Sequence, residues 1–322
     1  MFLYTKDAPK GDIRKVYGET LVELGRKDPK MCVLDGDLST STKTAMFGKE
    51  FPDRFFNVGI DEQNLVGVAS GLAYDKDRAV FASSFSMFLT GRAWEIIRQH
   101  VGYNDLPVKL VATHTGITVG PDGASHQMNE DIAIMRAIPN IRVVVPADIH
   151  ILKKVLYKAH ETPGAFYIRL TREKFPIVYP EDVEFELGKG HLLREGKDLT
   201  IVAIGLMVSH ALDAATILKE KYGIEAEVID PVSVKPIDGN LLVESARKTK
   251  KVVTIEEHSI IGGLGDAVFS VLGEHYPVPV KKIGIPDVFG ESGTAQELLR
   301  KFELMPDQLA ERIYKWLQNL ET

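Results

Sequence analysis

Short apolar runs alternate with longer amphipathic stretches along the first half of the chain. The runs predict buried strands, and the stretches between them predict helices with a 3.6-residue apolar period. The predicted strands cover residues 31–34, 55–58, 79–82, 108–113, 143–145 and 166–170, and the predicted helices cover 13–24, 62–74, 91–102, 129–137 and 149–159. Continuous apolar strands between helices are typical of a parallel sheet that is covered on both faces.

The alternation stops between residues 171 and 190, where two prolines and five acidic residues occur without a helical period. We interpret this segment as a linker. A second alternation follows, with predicted strands at 199–204, 227–229, 252–255 and 278–283, predicted helices at 208–221, 238–247 and 263–273, and two C-terminal helices. No sequence repeat relates the halves. The chain is therefore predicted to be an α/β protein of two doubly wound domains, residues 1–180 and a smaller 190–322.

The composition is that of a globular protein, with 44% hydrophobic and 26% charged residues among 322. A net charge of −6 argues against a nucleic-acid partner. No apolar run approaches the roughly 20 residues that span a bilayer, and the N-terminus lacks the apolar core of a signal peptide, so no membrane partner is expected. Cys32 is the only cysteine, which excludes an internal disulfide and fits a reducing, cytoplasmic location; we interpret it as a core residue.

Two acidic residues, Asp61 and Glu62, stand where an apolar strand passes into an amphipathic helix. Ligands of open parallel sheets collect at the carboxyl ends of strands. A carboxyl group held there in apolar surroundings could share a proton with a ring nitrogen of a bound heterocycle. The alternative is that both residues only cap the helix, because acids are favourable in the first turn.

Polar and aromatic residues follow the neighbouring predicted strands. The loop from Asp35 to Ser41, which contains Asp37, is suited either to a turn or to phosphate binding by hydroxyl and backbone N–H groups. Phe85 and Phe88 share one face if their segment is helical. They therefore either stack on a flat heterocycle or belong to the core.

Two histidines, His114 and His126, flank a glycine-rich loop that contains Asp122. Neutral imidazoles at such a place can polarise a carbonyl group or relay protons to hydroxyl groups, and a structural role is the alternative. No Cys/His or His-x-x-x-His spacing predicts zinc, so no metal site is expected in this chain. Four arginines are candidate anion ligands, each with a solvated surface position as the default alternative: Arg14, Arg136, Arg169 and Arg172.

The second half carries Glu256-Glu257-His258 after a predicted strand, and the glycines of 262–265 then open a helix. The glycine spacing is not G-x-G-x-x-G, and no acidic residue stands where a dinucleotide site needs one. We interpret this segment as packing between domains.

Three sequence blocks together resemble the C-terminal half of transketolase, a thiamine-diphosphate enzyme. They are Phe-Pro-Asp-Arg-Phe-Phe-Asn-Val-Gly-Ile-Asp-Glu-Gln-Asn (51–64), Ser-Phe-Ser-Met-Phe (84–88) and Gly-Pro-Asp-Gly-Ala-Ser-His-Gln (120–127). The resemblance covers nearly the whole chain. It implies a pyrimidine-binding domain over 1–180 and a transketolase C-terminal domain over 190–322.

The resemblance assigns cofactor-binding roles to matching positions. Glu62 is expected to pair with N1′ of the aminopyrimidine and so to promote deprotonation of the thiazolium ring. Phe85 and Phe88 are expected to stack on the pyrimidine, and Asp37 to lie near the thiazolium ring and the substrate.

The resemblance assigns substrate contacts as well. His114 and His126 are expected to act in catalysis by holding substrate hydroxyl groups, together with Asp122. The substrate phosphate is expected to meet Arg14, Ser41 and Arg172. Arg136 is a further candidate for substrate binding.

Some positions depart from the transketolase pattern. The third aromatic of the stacking set falls on Gly91, and residues 92–95 and 135–139 look nearer to deoxyxylulose-phosphate synthase. The Gly-Asp-Gly motif with a later Asn, which binds Mg²⁺ and the diphosphate in this superfamily, is missing, and the chain starts where the family's second domain starts. The resemblance therefore implies a split transketolase. A separate N-terminal subunit would bind the diphosphate and Mg²⁺, and this chain would form a dimer within a heterotetramer.

The activity implied by the resemblance is transfer of a two-carbon ketol unit from a ketose phosphate to an aldose phosphate, in the pentose phosphate pathway and with thiamine diphosphate. Two alternatives stay open within the superfamily, an enzyme like deoxyxylulose-phosphate synthase and one like a 2-oxo-acid dehydrogenase β subunit. A non-catalytic scaffold subunit is the alternative from another class. His114 and His126 favour a polyhydroxylated sugar substrate over a plain 2-oxo acid.

Overall fold

The computed structural model describes Tyr4, Thr5 and residues 7–321. The strands of the first half are β1 (Lys10–Gly11), β2 (Cys32–Asp35), β3 (Phe55–Asn57), β4 (Val80–Phe85), β5 (Val108–Thr113), β6 (Ile141–Val144), β7 (Ala165–Arg169) and β8 (Phe175–Pro176). Those of the second half are β9 (His191–Arg194), β10 (Leu199–Ala203), β11 (Ala226–Asp230), β12 (Ser233–Lys235), β13 (Val252–Ser259) and β14 (Val280–Ile285). The predicted alternation is present, and the short strands β1, β8, β9 and β12 add to it.

Helices connect most of these strands. They are α1 (Ile13–Lys27), α2 (Ser39–Thr42), α3 (Ala45–Glu50), α4 (Glu62–Leu72), α5 (Trp94–Ile96), α6 (Asp131–Arg136), α7 (Ile149–Glu161), α8 (Met207–Tyr222), α9 (Gly239–Thr249), α10 (Leu264–His275), α11 (Ala295–Lys301) and α12 (Pro306–Glu321). Within the described residues, no helix is long and apolar enough to cross a membrane.

The segment predicted as one helix over 91–102 is less regular than expected. Helix α5 lies between two π-helical segments, Met87–Arg92 and Ile97–Gly102. A π turn holds one more residue than an α turn, and such turns are frequent at functional sites.

The first sheet has the strand order β12-β6-β7-β5-β4-β2-β3. Strands β2 to β7 pair with one another in parallel. Every residue of β2, β4, β5 and β7 is buried, as expected for a parallel sheet with both faces covered. The predicted α/β fold is confirmed, and Cys32 is buried in β2.

The second sheet has the order β14-β13-β10-β11-β9. Strand β9 is antiparallel to β11, whereas the other neighbours run parallel. In the segment predicted as a linker, β8 pairs antiparallel with β1, placing Phe175 opposite Gly11. Residues 177–190 contain neither helix nor strand.

One strand crosses from the second half into the first sheet, which the sequence did not predict. Strand β12 pairs antiparallel with β6, so that Ser233 lies opposite Val144. Each of the two buried apolar clusters also contains residues of both halves, such as Tyr17 and Leu199 in one and Leu34 and Val252 in the other. The two halves therefore share apolar packing.

The carboxyl ends of β3, β2, β4 and β5 lie together at one edge of the first sheet. Asp35 stands beside Asn57 on one side and Ser83 on the other, and Phe85 stands beside Thr113. The loops that follow these strands therefore begin at the same edge, where ligands of open α/β sheets bind.

Candidate functional site

The loop after β2 is fixed by Asp35, whose side chain is fully buried. Its carboxylate accepts hydrogen bonds from the backbone N–H of Leu38 and from the hydroxyl groups of Thr42 and Thr44, at 2.6–2.8 Å. Burial raises the pKa of Asp35, and these three donors oppose the rise. Asp37 is exposed in this loop and accepts from Asn57 Nδ2 at 2.8 Å.

The two acidic residues that open α4 have different environments. Asp61 caps the helix by accepting from the backbone N–H of Asn64 at 3.1 Å. Glu62 is only 1% exposed and points into the site. Its Oε1 accepts from Ser84 Oγ at 3.2 Å, and its Oε2 pairs with Arg92 Nη1 at 2.6 Å. Capping therefore belongs to Asp61, and the surroundings of Glu62 are more polar than expected because Arg92 reaches it.

Four rings form one contiguous group beside Glu62. Phe85 stacks on His114 with ring centroids 3.8 Å apart, and Phe88 lies 6.3 Å from Phe85 with nearly parallel planes. His126 meets Phe88 edge-on at 5.2 Å. Arg92 lies 5.0 Å from the centre of the Phe88 ring, which joins the aromatic group to the Glu62 ion pair.

His114 occupies a left-handed backbone conformation at the end of β5, with φ of 57°. Its ring is buried and Nδ1 lies 2.9 Å from Thr113 Oγ1. Burial is the main cause that lowers the pKa of His114 to about 3, and the charges of Arg14 and Arg172 lower it further. His114 is therefore neutral at physiological pH, as a hydrogen-bonding partner for hydroxyl or carbonyl groups should be.

Arg14 and Arg172 bring positive charge to the same place. Arg14 Nη1 donates to the carbonyl oxygen of Ser41 at 2.9 Å. Arg172 Nη1 donates to Val119 O at 2.6 Å and to Asp122 Oδ1 at 3.3 Å. Burial lowers the pKa of Arg14, and Arg172 adds to this as a nearby like charge. Four residues predicted to bind substrate therefore lie together: Arg14, Ser41, Asp122 and Arg172.

Two other predicted anion ligands have structural partners instead. Arg136 donates to the carbonyl oxygens of Gly262 and Gly263 at 2.5 and 3.0 Å, and its nearest charges belong to the second half. Arg169 is buried and pairs with Asp131 at 2.8 Å. Arg169 also donates to Glu257 O at 2.9 Å, so both guanidinium groups bond to the second half and neither joins the Arg14 group.

The structure also identifies two residues that the sequence reasoning missed. Ser84 and Arg92 hold the Glu62 carboxylate, one from the end of β4 and one from the end of a π-helical segment. Ser84 belongs to the 84–88 block, so its position next to the site could have been predicted. The contact of Arg92 with Glu62 could not, because it depends on the π-helical segment in which Arg92 lies. In the described part of the chain, no group of three or more His, Cys, Asp and Glu side chains is placed to hold a metal ion.

Comparison with known proteins identifies the family. The model of the transketolase pyrimidine-binding domain matches residues 10–177, and that of the transketolase C-terminal domain matches residues 188–309. The chain belongs to the transketolase family. The resemblance seen in the sequence blocks is thereby confirmed.

The relatives differ in how much of their own length this chain covers. A Methanocaldococcus jannaschii protein described as a transketolase C-terminal section is 54% identical, covering 94% of this chain and 95% of the relative. A 6-deoxy-6-sulfo-D-fructose transketolase subunit of a Clostridium species is 40% identical, covering 92% of each. The transketolase of Homo sapiens is 35% identical, and the match covers 93% of this chain but 48% of that enzyme.

A solved structure has the same fold throughout. The chain of a split gene transketolase, described as an inactive tetramer of four beta chains, superposes with a TM-score of 0.86 and is 51% identical. The superposition covers 94% of this chain and 97% of that one. Split transketolases thus include a chain of this size and fold.

Proposed function

We propose that this chain is the C-terminal subunit of a split transketolase, which transfers a two-carbon ketol unit from a ketose phosphate to an aldose phosphate with thiamine diphosphate. The observation that carries the proposal is one contiguous group of side chains. It runs from Glu62 and Arg92 through Phe88 and Phe85 to His114, and from there to the cationic group around Arg14. A carboxylate, aromatic faces, imidazole rings and guanidinium groups thereby lie next to one another.

The residues present fit the cofactor that transketolases use. A buried carboxylate at Glu62 can hold a ring nitrogen of the aminopyrimidine, and Phe85 and Phe88 offer flat apolar faces. When bound, thiamine diphosphate supplies the electron sink for carbon–carbon bond cleavage. Ser84 and Arg92 fix the Glu62 side chain at the carboxyl edge of the sheet.

The opposite end of the group suits a phosphorylated sugar. Arg14 and Arg172 supply charge for a phosphate, and Arg14 is held by the backbone carbonyl of Ser41 in α2. His114 and His126 lie against the aromatic rings, and His114 is also close to Arg14 and Arg172, so both imidazoles can hydrogen-bond the hydroxyl groups of the sugar chain. Asp122, held by Arg172, is placed to accept a further hydroxyl hydrogen bond.

The subunit role is supported by relatives that this chain covers almost completely. One of them is a transketolase subunit, another is a split gene transketolase, and the inactive tetramer is an assembly of that protein. We propose that an N-terminal subunit binds the diphosphate and Mg²⁺, and that two copies of each subunit form the enzyme.

A second candidate within the superfamily rests on one relative. The deoxyxylulose-phosphate synthase of Symbiobacterium thermophilum is 37% identical over 304 residues. Such an enzyme would use pyruvate as donor, and pyruvate has no hydroxyl group for His114 or His126 to hold. Pyruvate therefore discriminates the two candidates.

The test is to mix this chain with the transketolase N-terminal subunit from the same source, thiamine diphosphate and Mg²⁺. Ketol transfer from xylulose 5-phosphate to ribose 5-phosphate is expected from the mixture and from neither chain alone. Activity of this chain alone would contradict the subunit role. Use of pyruvate by the mixture as readily as xylulose 5-phosphate would favour the synthase.

A further inference from the structure

The loop that carries Asp122 and His126 is packed against the second half of the chain. Its first turn is the 3₁₀ segment Ile117–Asp122, and Gly120 and Gly123 have positive φ angles of 82° and 76°. A Cβ on Gly120 would lie 3.3 Å from the carbonyl oxygen of Gly293, and one on Gly123 would lie 2.6 Å from Ser292 Oγ. The second half thus packs against one side of this loop.

Gln127 directly follows His126 and makes a polar connection across this boundary. Its side chain is only 4% exposed. The amide Nε2 lies 3.3 Å from Ile117 O, 3.2 Å from Gly120 O and 2.8 Å from Glu291 O. One side chain therefore joins two turns of the loop to the segment before α11.

The backbone of the second half leaves no spare room at this point. A Cβ at Gly290 would overlap Gln127 Oε1, so the close approach requires a glycine there. Gly290 does not have a positive φ angle, so backbone conformation does not require a glycine at this position. The close contact with Gln127 does.

A second connection holds the start of the same loop. Glu257, in the buried part of β13, accepts from the backbone N–H of Thr118 at 2.6 Å. Gly116 has a φ angle of 68°, and a Cβ on it would lie 2.5 Å from Glu257 Cδ. The loop is thereby attached to the second half near both of its ends.

We propose that Gln127 is a positioning residue, through which the second half of the chain fixes the loop that presents Asp122 and His126 to the substrate. The inference rests on the proposed function. His126 is adjacent in sequence and lies against Phe88, and Arg172 holds the loop at Val119 and Asp122. Release of the Gln127 amide would let these contacts shift together.

The structural part of the test uses the full chain and amide hydrogen exchange. Gln127→Met keeps the length of the side chain and removes its donors. Lys235→Met is the matched control, because Lys235 also joins the halves by donating to Arg136 O and Ile138 O, away from this loop. Gly290→Ala is a second route to the same displacement, should Gln127→Met fold poorly.

Exchange in residues 117–127 should be about tenfold faster in Gln127→Met and Gly290→Ala than in the unchanged chain. The backbone N–H groups of Gly123, His126 and Gln127 report on this segment, since all three donate within the loop. Lys235→Met should leave it unchanged. Unaltered exchange in both loop variants, or equal acceleration in Lys235→Met, would overturn the inference.

The functional part uses the complex with the N-terminal subunit. Gln127→Met and Gly290→Ala should lower kcat for ketose phosphates about 10- to 100-fold, as misplacement of substrate contacts by about 1 Å does, and Lys235→Met should not. Unchanged kcat in an active complex would overturn the inference alone. If the unchanged complex has no transketolase activity, the proposed function fails, and the exchange measurement then decides the inference.

Discussion

Replacement of Arg14 by glutamine tests whether the cationic group binds phosphate. Arg14 is partly buried, its Nε is buried without a hydrogen-bond partner in the described part of the chain, and its Nη1 has only the Ser41 carbonyl. A buried guanidinium donor without an acceptor is unfavourable, and a phosphate oxygen is the acceptor that this geometry suits. The nearby charge of Arg172 increases the need for an anion.

The size of the effect follows from the number of bonds lost. A hydrogen bond to a charged group contributes about 1.5–3 kcal/mol, so loss of one such contact should raise KM for ribose 5-phosphate roughly 10- to 150-fold. Stability should change little, because glutamine keeps the aliphatic part of the side chain and the like charge beside Arg172 is removed. A non-phosphorylated acceptor such as free glycolaldehyde should keep its KM.

The assay compares the two acceptors in the complex with the N-terminal subunit. Arg136→Gln is the matched control, because Arg136 is also partly buried but donates to Gly262 and Gly263 instead. An equal rise in KM for free glycolaldehyde would show that Arg14 supports the fold and binds no phosphate. A comparable rise for ribose 5-phosphate in Arg136→Gln would refute the location of the pocket.

Three further predictions follow from single groups. Glu62→Gln should lower kcat about 10²- to 10⁴-fold, with little change in Tm because glutamine can still accept from Ser84. Steady-state rates and thermal melts measure the two quantities. An unchanged kcat would contradict the role assigned to Glu62. His114→Ala and His126→Ala should lose most activity with ketose phosphates and less with hydroxypyruvate, a comparison of donors that a merely structural role would not separate. Burial raises the pKa of Asp230 from 3.8 to about 7. The folded chain then binds this proton more tightly than the unfolded chain, so stability should fall as pH rises from about 4 to about 7. Asp230→Asn should lose that part of the slope in denaturant titrations at several pH values, and an unchanged slope would contradict the role of Asp230.

The sheet, and the edge at which the candidate site residues meet, were predictable because both depend on local patterns. Strand β5 was predicted with its observed bounds, Val108–Thr113, since five of its six positions are apolar or β-branched and the run stands between turn signals. Parallel strands then bring their carboxyl ends to one edge. Glu62, Phe85 and His114 meet for that reason, although they are far apart in sequence.

The partners of individual charges were not predictable in the same way. Arg92 reaches Glu62 through a π turn, and helical periodicity gives no signal for an extra residue in a turn. Arg136 was predicted as an anion ligand, with a solvated surface position as the alternative, and it donates to the second half instead. Strand β12, which brings the second half into the first sheet, was not predicted either. A three-residue strand of this kind carries too little pattern to be assigned to a sheet.

The distribution of charge along the site argues for a phosphorylated sugar as substrate. At one end, Glu62 is balanced by Arg92, so the aromatic pocket beside them needs no further ion. At the other end, Arg14 and Arg172 lie close enough to lower the pKa of the neutral His114 between them and the rings. Among the residues that the structure describes, Asp122 alone forms an ion pair with this group, through Arg172, while the charges of Asp12 and Glu173 act against the lowering of the Arg14 pKa. A small 2-oxo acid would place its charge beside its reacting carbon, whereas a ketose phosphate separates the two by a chain of hydroxyl groups. The second arrangement matches a site whose uncompensated charge is at the end away from Glu62.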